Sequence, residues 1–355
     1  MREYFSPIKE SRRPAWSDWF LILAFATLIW LPLLTSLTEL TGALAHSPHA
    51  SAVVPKGSRR QTPGWVAEWW TRVQACQGFR NFLDENYGLR SSLLRLNGLI
   101  RVKLLHTSSS LNVLLGKSGF LFLASEGSME SYLREKPFTA VELERVRAEI
   151  VRRRTWCAER RMIYLVVIAP DKHTIYPEMM PSGLVPRDNP SRLDQLLRVV
   201  NTSNQVTILD LRPALLWAKA GGLLYHKTGT HWNDLGAFVA SRVLVEYLSE
   251  YYPGICPVPW EGLSFRRQTS RGLELARMLA LDGDLEEQHC LTTNRLASAR
   301  DWDGDGLAVA KYEVPRTDVR RTRSSRGAIP SVVVLRDSFC ELLIPFLAEH
   351  FTDAV

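Results

Sequence analysis

Two short segments carry residue types that can do chemistry together. Leu335-Arg-Asp-Ser338-Phe closes a β-branched apolar run, and Tyr225-His226-Lys-Thr-Gly229-Thr230-His231-Trp232-Asn-Asp234 joins two helical stretches. A serine hydroxyl is a poor nucleophile until a neutral imidazole takes its proton, so a serine at a strand end and a loop histidine are the pair that covalent acyl transfer needs. A helix starting directly after Ser338 would add free backbone N–H groups and the positive end of its dipole, suited to an oxyanion. Both residues also have plainer uses. Ser338-Phe-Cys-Glu341 reads as a capping box, and a loop histidine often serves only as a structural hydrogen-bonding group. A metal held by His226 and His231 would lack a spaced third ligand.

The elements that must position these residues follow from periodicity. Residues 66–105 read as mainly helical, with Leu93, Leu96, Leu99 and Ile100 at helical spacing. Gly116–Leu123 reads as a turn and a short aromatic strand. Thr139-Ala-Val-Glu142 is a capping box opening a helix to about Arg161. Ile163–Ile168 and Val206–Leu211 read as buried strands, with a helix near Arg192–Val200 between them. Asn233 or Asp234 should cap a helix reaching about Tyr251. Ser331–Leu335 reads as a strand feeding a helix from about Phe339 to His350. Strand–helix alternation of this kind argues for an α/β fold, a parallel sheet flanked by helices, with Ser338 at the carboxyl edge where such folds build sites.

Composition sets the compartment. The 355 residues are 46% hydrophobic and 23% charged, which excludes a disordered or multi-spanning chain, and the net charge of +7 permits anionic partners without requiring them. Residues 19–38 hold no charge, long enough to cross a bilayer as a helix, with Arg2, Lys9, Arg12 and Arg13 ahead of them. The positive-inside rule leaves residues 1–18 in the cytoplasm and exports the rest, with 39–65 as a tether and 66–355 as the folded body. Ala43-Leu44-Ala45 keeps open the alternative of a signal peptide cleaved near residue 45. Export disfavours a nucleic-acid partner for the arginine clusters. It also makes the five cysteines, of which Cys256 and Cys290 are the nearest pair, candidates for one or two disulfides.

Taken in order, the segments Asp84–Arg90 (DENYGLR), Gly116–Phe122 (GKSGFLF), Pro170–Pro181 (PDKHTIYPEMMP), Tyr225–Asp234 (YHKTGTHWND) and Leu335–Phe351 (LRDSFCELLIPFLAEHF) resemble the AlgX/AlgJ-type polysaccharide O-acetyltransferases. The resemblance implies an SGNH hydrolase-like domain, with Ser338 matching the family's nucleophile and His231 its base. It further implies periplasmic acetyl transfer onto an exopolysaccharide such as alginate, an acetyl-serine intermediate, a membrane-bound acyltransferase partner that supplies acetyl groups, and no cofactor. Two departures stand out. The family motif is Asp-x-His-Trp, and its Asp orients the histidine; here that position is Gly229. Losing such an Asp costs about four orders of magnitude in well-studied triads. Asp171, Asp234 and Asp337 lie near motif segments as candidate substitutes. Gly272-Leu-Glu274-Leu also departs from the family's Gly-Asp-Leu, which implies a change beside the site.

Three further readings follow. The vacancy at 229 motivates a rival function, a non-catalytic polysaccharide-binding or assembly subunit, and an acetylesterase using water as acceptor is the other alternative. Asp301-x-Asp303-x-Asp305-Gly306 begins like a calcium loop, but position twelve is Tyr312, so a turn is expected. Family members continue beyond the helix after the nucleophile, so a sheet lacking an edge is expected here, where 17 residues follow Ser338.

Overall fold

The computed structural model describes Leu23 and residues 89–201, 207–292, 299–301, 321–325, 327 and 329–355. The chain divides into two compact units, Met1–Leu96 and Asn97–Val355. Of the first, Leu23 and the start of helix α1 (Arg90–Leu99) are described. The expected membrane span at 19–38, the tether at 39–65 and the Asp301–Gly306 loop beyond its first residue therefore lie outside the described residues. Among the described residues no helix is long and apolar enough to cross a membrane.

The second unit is α/β, and its described strands fall into four separate sheets rather than the one parallel sheet expected. A hairpin of β1 (Val113–Leu115) and β2 (Leu121–Leu123) surrounds the Gly116–Gly119 turn, so the aromatic strand predicted there is one arm of a pair. After the short α2 (Ser128–Tyr132), α3 (Ala140–Glu159) starts at Thr139, and both halves of its capping box form. β3 (Val166–Ile168) leads through Asp171 into the one-turn α4 (Lys172–Ile175), and α5 (Arg192–Asn201) precedes β4 (Ile208–Asp210). β3 and β4 pair in parallel, as the alternation predicts. α6 (Arg212–Ala218) then leads to the histidine loop, and α7 (Asp234–Ser249) leaves it, capped by the Asn233 side chain bonded to the Gly236 N–H. β5 (Phe265–Arg271) and β6 (Glu286–Thr292) form a long antiparallel pair around α8 (Glu274–Met278).

β7 (Ala299–Asp301), β8 (Thr322–Ser324), β9 (Ile329–Val332) and β10 (Phe351–Ala354), the last reached through α9 (Ile344–Leu347), form a sheet in the order β7-β8-β10-β9. The last strand lies inside this sheet, between β8 and β9.

Two expectations need correction. The strand predicted at Ser331–Leu335 is observed as Ile329–Val332; beyond it the Val334 N–H still donates to the Val355 carbonyl at 2.8 Å, while Val333 and Leu335 are 69% and 91% exposed. The helix predicted at 339–350 breaks into a 3-10 turn (Ser338–Leu342), α9 and a second 3-10 turn (Ala348–His350), since Pro345 has no N–H for a continuous ladder. In α1, Leu93 and Leu96 are exposed, as is Ile100 after it, and Leu99 is the member of that stripe that packs on the apolar cluster of Val113, Leu121, Leu275 and Leu279.

The main core is aromatic-rich. Phe120, Phe122, Tyr176, Tyr225, Trp232 and Phe238 are each at most 4% exposed. Fully burying such side chains stabilises by roughly 1.5–3 kcal/mol each, which fixes the ground on which the histidine loop stands. Among the described residues Cys157, Cys256, Cys290 and Cys340 are free thiols, so the candidate pair Cys256 and Cys290 is not bridged.

Candidate functional site

The loop from Tyr225 to Trp232 is pinched shut at its base. Tyr225 and Trp232 pair as an isolated antiparallel bridge, with the His226 N–H on the His231 carbonyl at 3.1 Å and the Asn233 N–H on the Leu224 carbonyl at 2.8 Å. A loop this tight turns its carbonyls inward, and buried carbonyls need donors. Lys172 supplies them: its Nζ donates to the carbonyls of His226 (2.9 Å), Lys227 (3.1 Å) and Gly229 (2.5 Å). All three ammonium donors are thereby used, which explains how a lysine is 2% exposed. Burial pushes Lys172 down to about 7, against the opposing pull of Glu287 and Glu274.

The serine segment docks onto this loop from 107 residues away. Trp232 Nε1–H donates to the Phe339 carbonyl at 3.0 Å, and the Phe339 ring packs against His231 and Trp232 with centroids 4.7 and 5.1 Å apart. These contacts bring His231 Nε2 to 2.8 Å from Ser338 Oγ. The two residues singled out by type in the sequence are thus brought into hydrogen-bond contact. Asp337 caps the following turn, accepting from the Phe339 N–H at 3.0 Å. Capping by Asp337 rather than by Ser338 leaves the Ser338 hydroxyl to the histidine. The same capping engages two amides of the terminus, Phe339 N–H on the Asp337 side chain and Cys340 N–H on its carbonyl, so the expected oxyanion donors narrow toward the N–H of Ser338 itself.

Of the carboxylates proposed to replace the missing acid, none reaches His231. Asp171 sits at the N-cap of α4, where burial and then the neighbouring Asp337 push its carboxyl above the usual range. Asp234 accepts from the N–H and hydroxyl of Thr292, and Asp337 caps its own turn. Glu274 does reach the histidine. Its Oε1 lies 3.5 Å from His231 Nδ1 and accepts from the Thr230 N–H (2.6 Å) and the Thr230 hydroxyl (2.7 Å). The Thr230 hydroxyl oxygen is in turn 3.0 Å from His231 Nδ1. Burial raises the Glu274 pKa, but the hydrogen bonds from His231 and Thr230 outweigh it and hold this carboxyl well below the usual range.

The segment carrying Glu274 is tied to the loop at two points. The Leu273 N–H donates to Thr228 Oγ1 at 3.0 Å, and the Leu275 N–H to the Thr228 carbonyl at 3.1 Å. Thr228 is itself fixed by Glu287, which is fully buried and accepts from its N–H (2.6 Å) and hydroxyl (2.5 Å) and from the Lys227 N–H (3.0 Å). His226 faces Glu287 across 3.8 Å and stacks edge-on against His289; it has no contact with Ser338. Thr230 and Glu274 are the residues that reasoning by type passed over. The signal for them was the coincidence of two departures, a missing acid at 229 and an altered acidic segment at 272–275.

Residues 113–299 match the family described as SGNH hydrolase-like domain, acetyltransferase AlgX. The matched span includes His231 and Glu274 and ends before Ser338. Among solved structures, the O-acetyltransferase domain of Pseudomonas putida AlgJ is similar at 19% identity, over 68% of this chain and 78% of that one, with a TM-score of 0.41. Bacillus cereus PatB1 carrying a sulfonyl adduct is 16% identical over 68% and 85%, with a TM-score of 0.44. Pseudomonas aeruginosa AlgX is 16% identical over 68% and 52%, with a TM-score of 0.37. No curated protein matches the chain.

Proposed function

The chain belongs to the AlgX family of SGNH hydrolase-like acetyltransferase domains, and from that premise we propose that it is an O-acetyltransferase that moves acetyl groups onto hydroxyls of an exopolysaccharide through an acetyl-Ser338 intermediate. The observation that carries the reading is the 2.8 Å contact between His231 Nε2 and Ser338 Oγ, with the serine exposed to incoming substrate. In the first half-reaction His231 Nε2 takes the hydroxyl proton as Ser338 Oγ bonds to the acetyl carbon. The donor's leaving group departs with the proton returned by the imidazolium. In the second, a sugar hydroxyl gives its proton to His231 as its oxygen bonds to the acetyl-serine carbonyl carbon, and the imidazolium returns a proton to Ser338 Oγ as the bond to the serine breaks. The oxyanion formed in each step lies next to the Ser338 N–H, a fixed backbone donor of the kind that stabilises such charge.

The same proposal puts the domain in the periplasm, anchored by residues 19–38, with a membrane-bound acyltransferase as the source of acetyl groups. Its support is the uncharged run behind a basic N-terminus in the sequence. What supports the catalytic reading over a non-catalytic subunit is the Glu274 carboxylate 3.5 Å from His231.

The test is turnover of a chromogenic acetyl ester by the full-length protein in mild detergent, with and without a polyuronate acceptor. Expected are ester turnover, acetyl groups appearing on the polymer, and loss of both in Ser338→Ala. Turnover unaffected by Ser338→Ala would overturn the assignment. Turnover that needs Ser338 but never acetylates a glycan would make the protein an esterase.

A further inference from the structure

We propose that Glu274 supplies the carboxylate the histidine motif lacks, acting through the Thr230 hydroxyl as the positioning residue for His231. The inference rests on the Ser338–His231 reading above and extends it to the group that orients the base.

The hydrogen bonds have one consistent arrangement of protons. An ionised carboxylate only accepts, so the Thr230 hydroxyl, 2.7 Å from Glu274 Oε1, directs its single proton there. Its oxygen lone pair then faces His231 Nδ1 at 3.0 Å, a contact that is favourable when Nδ1 carries a hydrogen. With the proton on Nδ1, the lone pair of the neutral ring lies on Nε2, 2.8 Å from Ser338 Oγ. That is the tautomer a general base requires, and fixing it is what an orienting acid does. When the ring becomes an imidazolium, the carboxylate oxygen 3.5 Å from Nδ1 favours the new charge directly. The strongly lowered pKa of Glu274 keeps this acceptor ionised throughout the neutral range.

Gly229 completes the argument. A Cβ placed there would lie 3.3 Å from Glu274 Oε1, 2.9 Å from Leu273 Cδ1 and 3.1 Å from His226 Cβ. The space a side chain at 229 would enter is the space Glu274 and its neighbour already fill. Gly229 and Glu274 are therefore one feature: the acid has moved from two positions before the histidine to the start of α8, 43 residues beyond it. An aspartate restored at 229 would crowd a like charge rather than fill a gap.

The experiment uses the full-length protein and a chromogenic acetyl ester, with thermal melts alongside. Glu274→Gln is expected to lower kcat by roughly 10²- to 10⁴-fold, with KM changed less than about threefold, because the ring loses its orientation while the acyl site keeps its shape. Thr230→Val should lose activity by about tenfold or more, and Thr230→Ser, which restores the hydroxyl, should recover most of it. Gly229→Asp should lower turnover. The proposal is overturned if Glu274→Gln stays within about twofold of the parent while Ser338→Ala is inactive, or if Gly229→Asp raises activity. If Ser338→Ala itself retains turnover, the acetyl-serine reading fails first and takes this inference with it.

Discussion

The loop from Tyr225 to Trp232 holds two histidine–glutamate pairs built on one plan. In each, a glutamate accepts from both the N–H and the hydroxyl of a threonine, Glu287 from Thr228 and Glu274 from Thr230. In each, a histidine Nδ1 lies near the same carboxylate, His226 at 3.8 Å and His231 at 3.5 Å. The difference is burial and what lies beyond the ring. Glu287 is fully buried and His226 faces His289, whereas Glu274 is about a third exposed and His231 faces Ser338. Nearly identical local chemistry is thus sealed in the interior in one place and set beside an exposed serine in the other. The two are connected: Glu287 fixes Thr228, and Thr228 fixes Leu273 and Leu275 on either side of Glu274.

The comparison breaks most sharply at the histidines. His231→Ala should reduce ester turnover by about 10⁴-fold or more, while His226→Phe should leave it within roughly tenfold, since its ring touches no reacting atom. Equal losses would mean that both pairs serve catalysis.

Stability should divide the other way. Glu287→Ala strands buried donors on Lys227 and Thr228 and should destabilise by about 3–5 kcal/mol in chemical denaturation. Glu274→Ala, at a half-open site, should cost about 1 kcal/mol. A reversed order would show the two pairs to be misassigned.

Acid sharpens the same contrast. Burial would raise the Glu287 pKa, but the neighbouring His226 and the hydrogen bonds from Thr228 and Lys227 lower it from 4.5 to about 2. The unfolded chain then binds more protons than the folded one between those values. The stabilisation is therefore complete above about pH 4.5 and is lost as pH falls toward 2; it is on the order of 3 kcal/mol. Denaturation midpoints measured from pH 6 to 2 should fall in this window, and Glu287→Gln should flatten the fall.

The smallest effect concerns the joint between loop and nucleophile. Trp232→Phe keeps the core aromatic and removes the donor to the Phe339 carbonyl. It should cost about 1 kcal/mol in stability and a few-fold in kcat. An unchanged kcat would mean that Phe339 packing alone registers Ser338 on His231.

The sequence by itself determined those features whose cause is local. The Thr139 capping box formed because N-cap and N3 are three residues apart in any helix, and Asn233 capped α7 for the same reason. Ser338 and His231 were singled out because hydroxyl and imidazole are types that can act together, and because their segments lie in the order of the family the chain resembles. Local patterning misread the ends of elements: β-branched Val333–Leu335 prefers extended backbone, but the ladder with β10 is registered only to Val332, and Val333 and Leu335 turn out to solvent. The identity of the orienting acid was decided only by the tertiary structure. Gly229 looked like a deficit along the chain, because sequence distance hides a carboxylate delivered from α8 by two hydrogen bonds to Thr228. Electrostatic partnership depends on distance through space, and only the packed loop over Lys172 brings that distance to 3.5 Å.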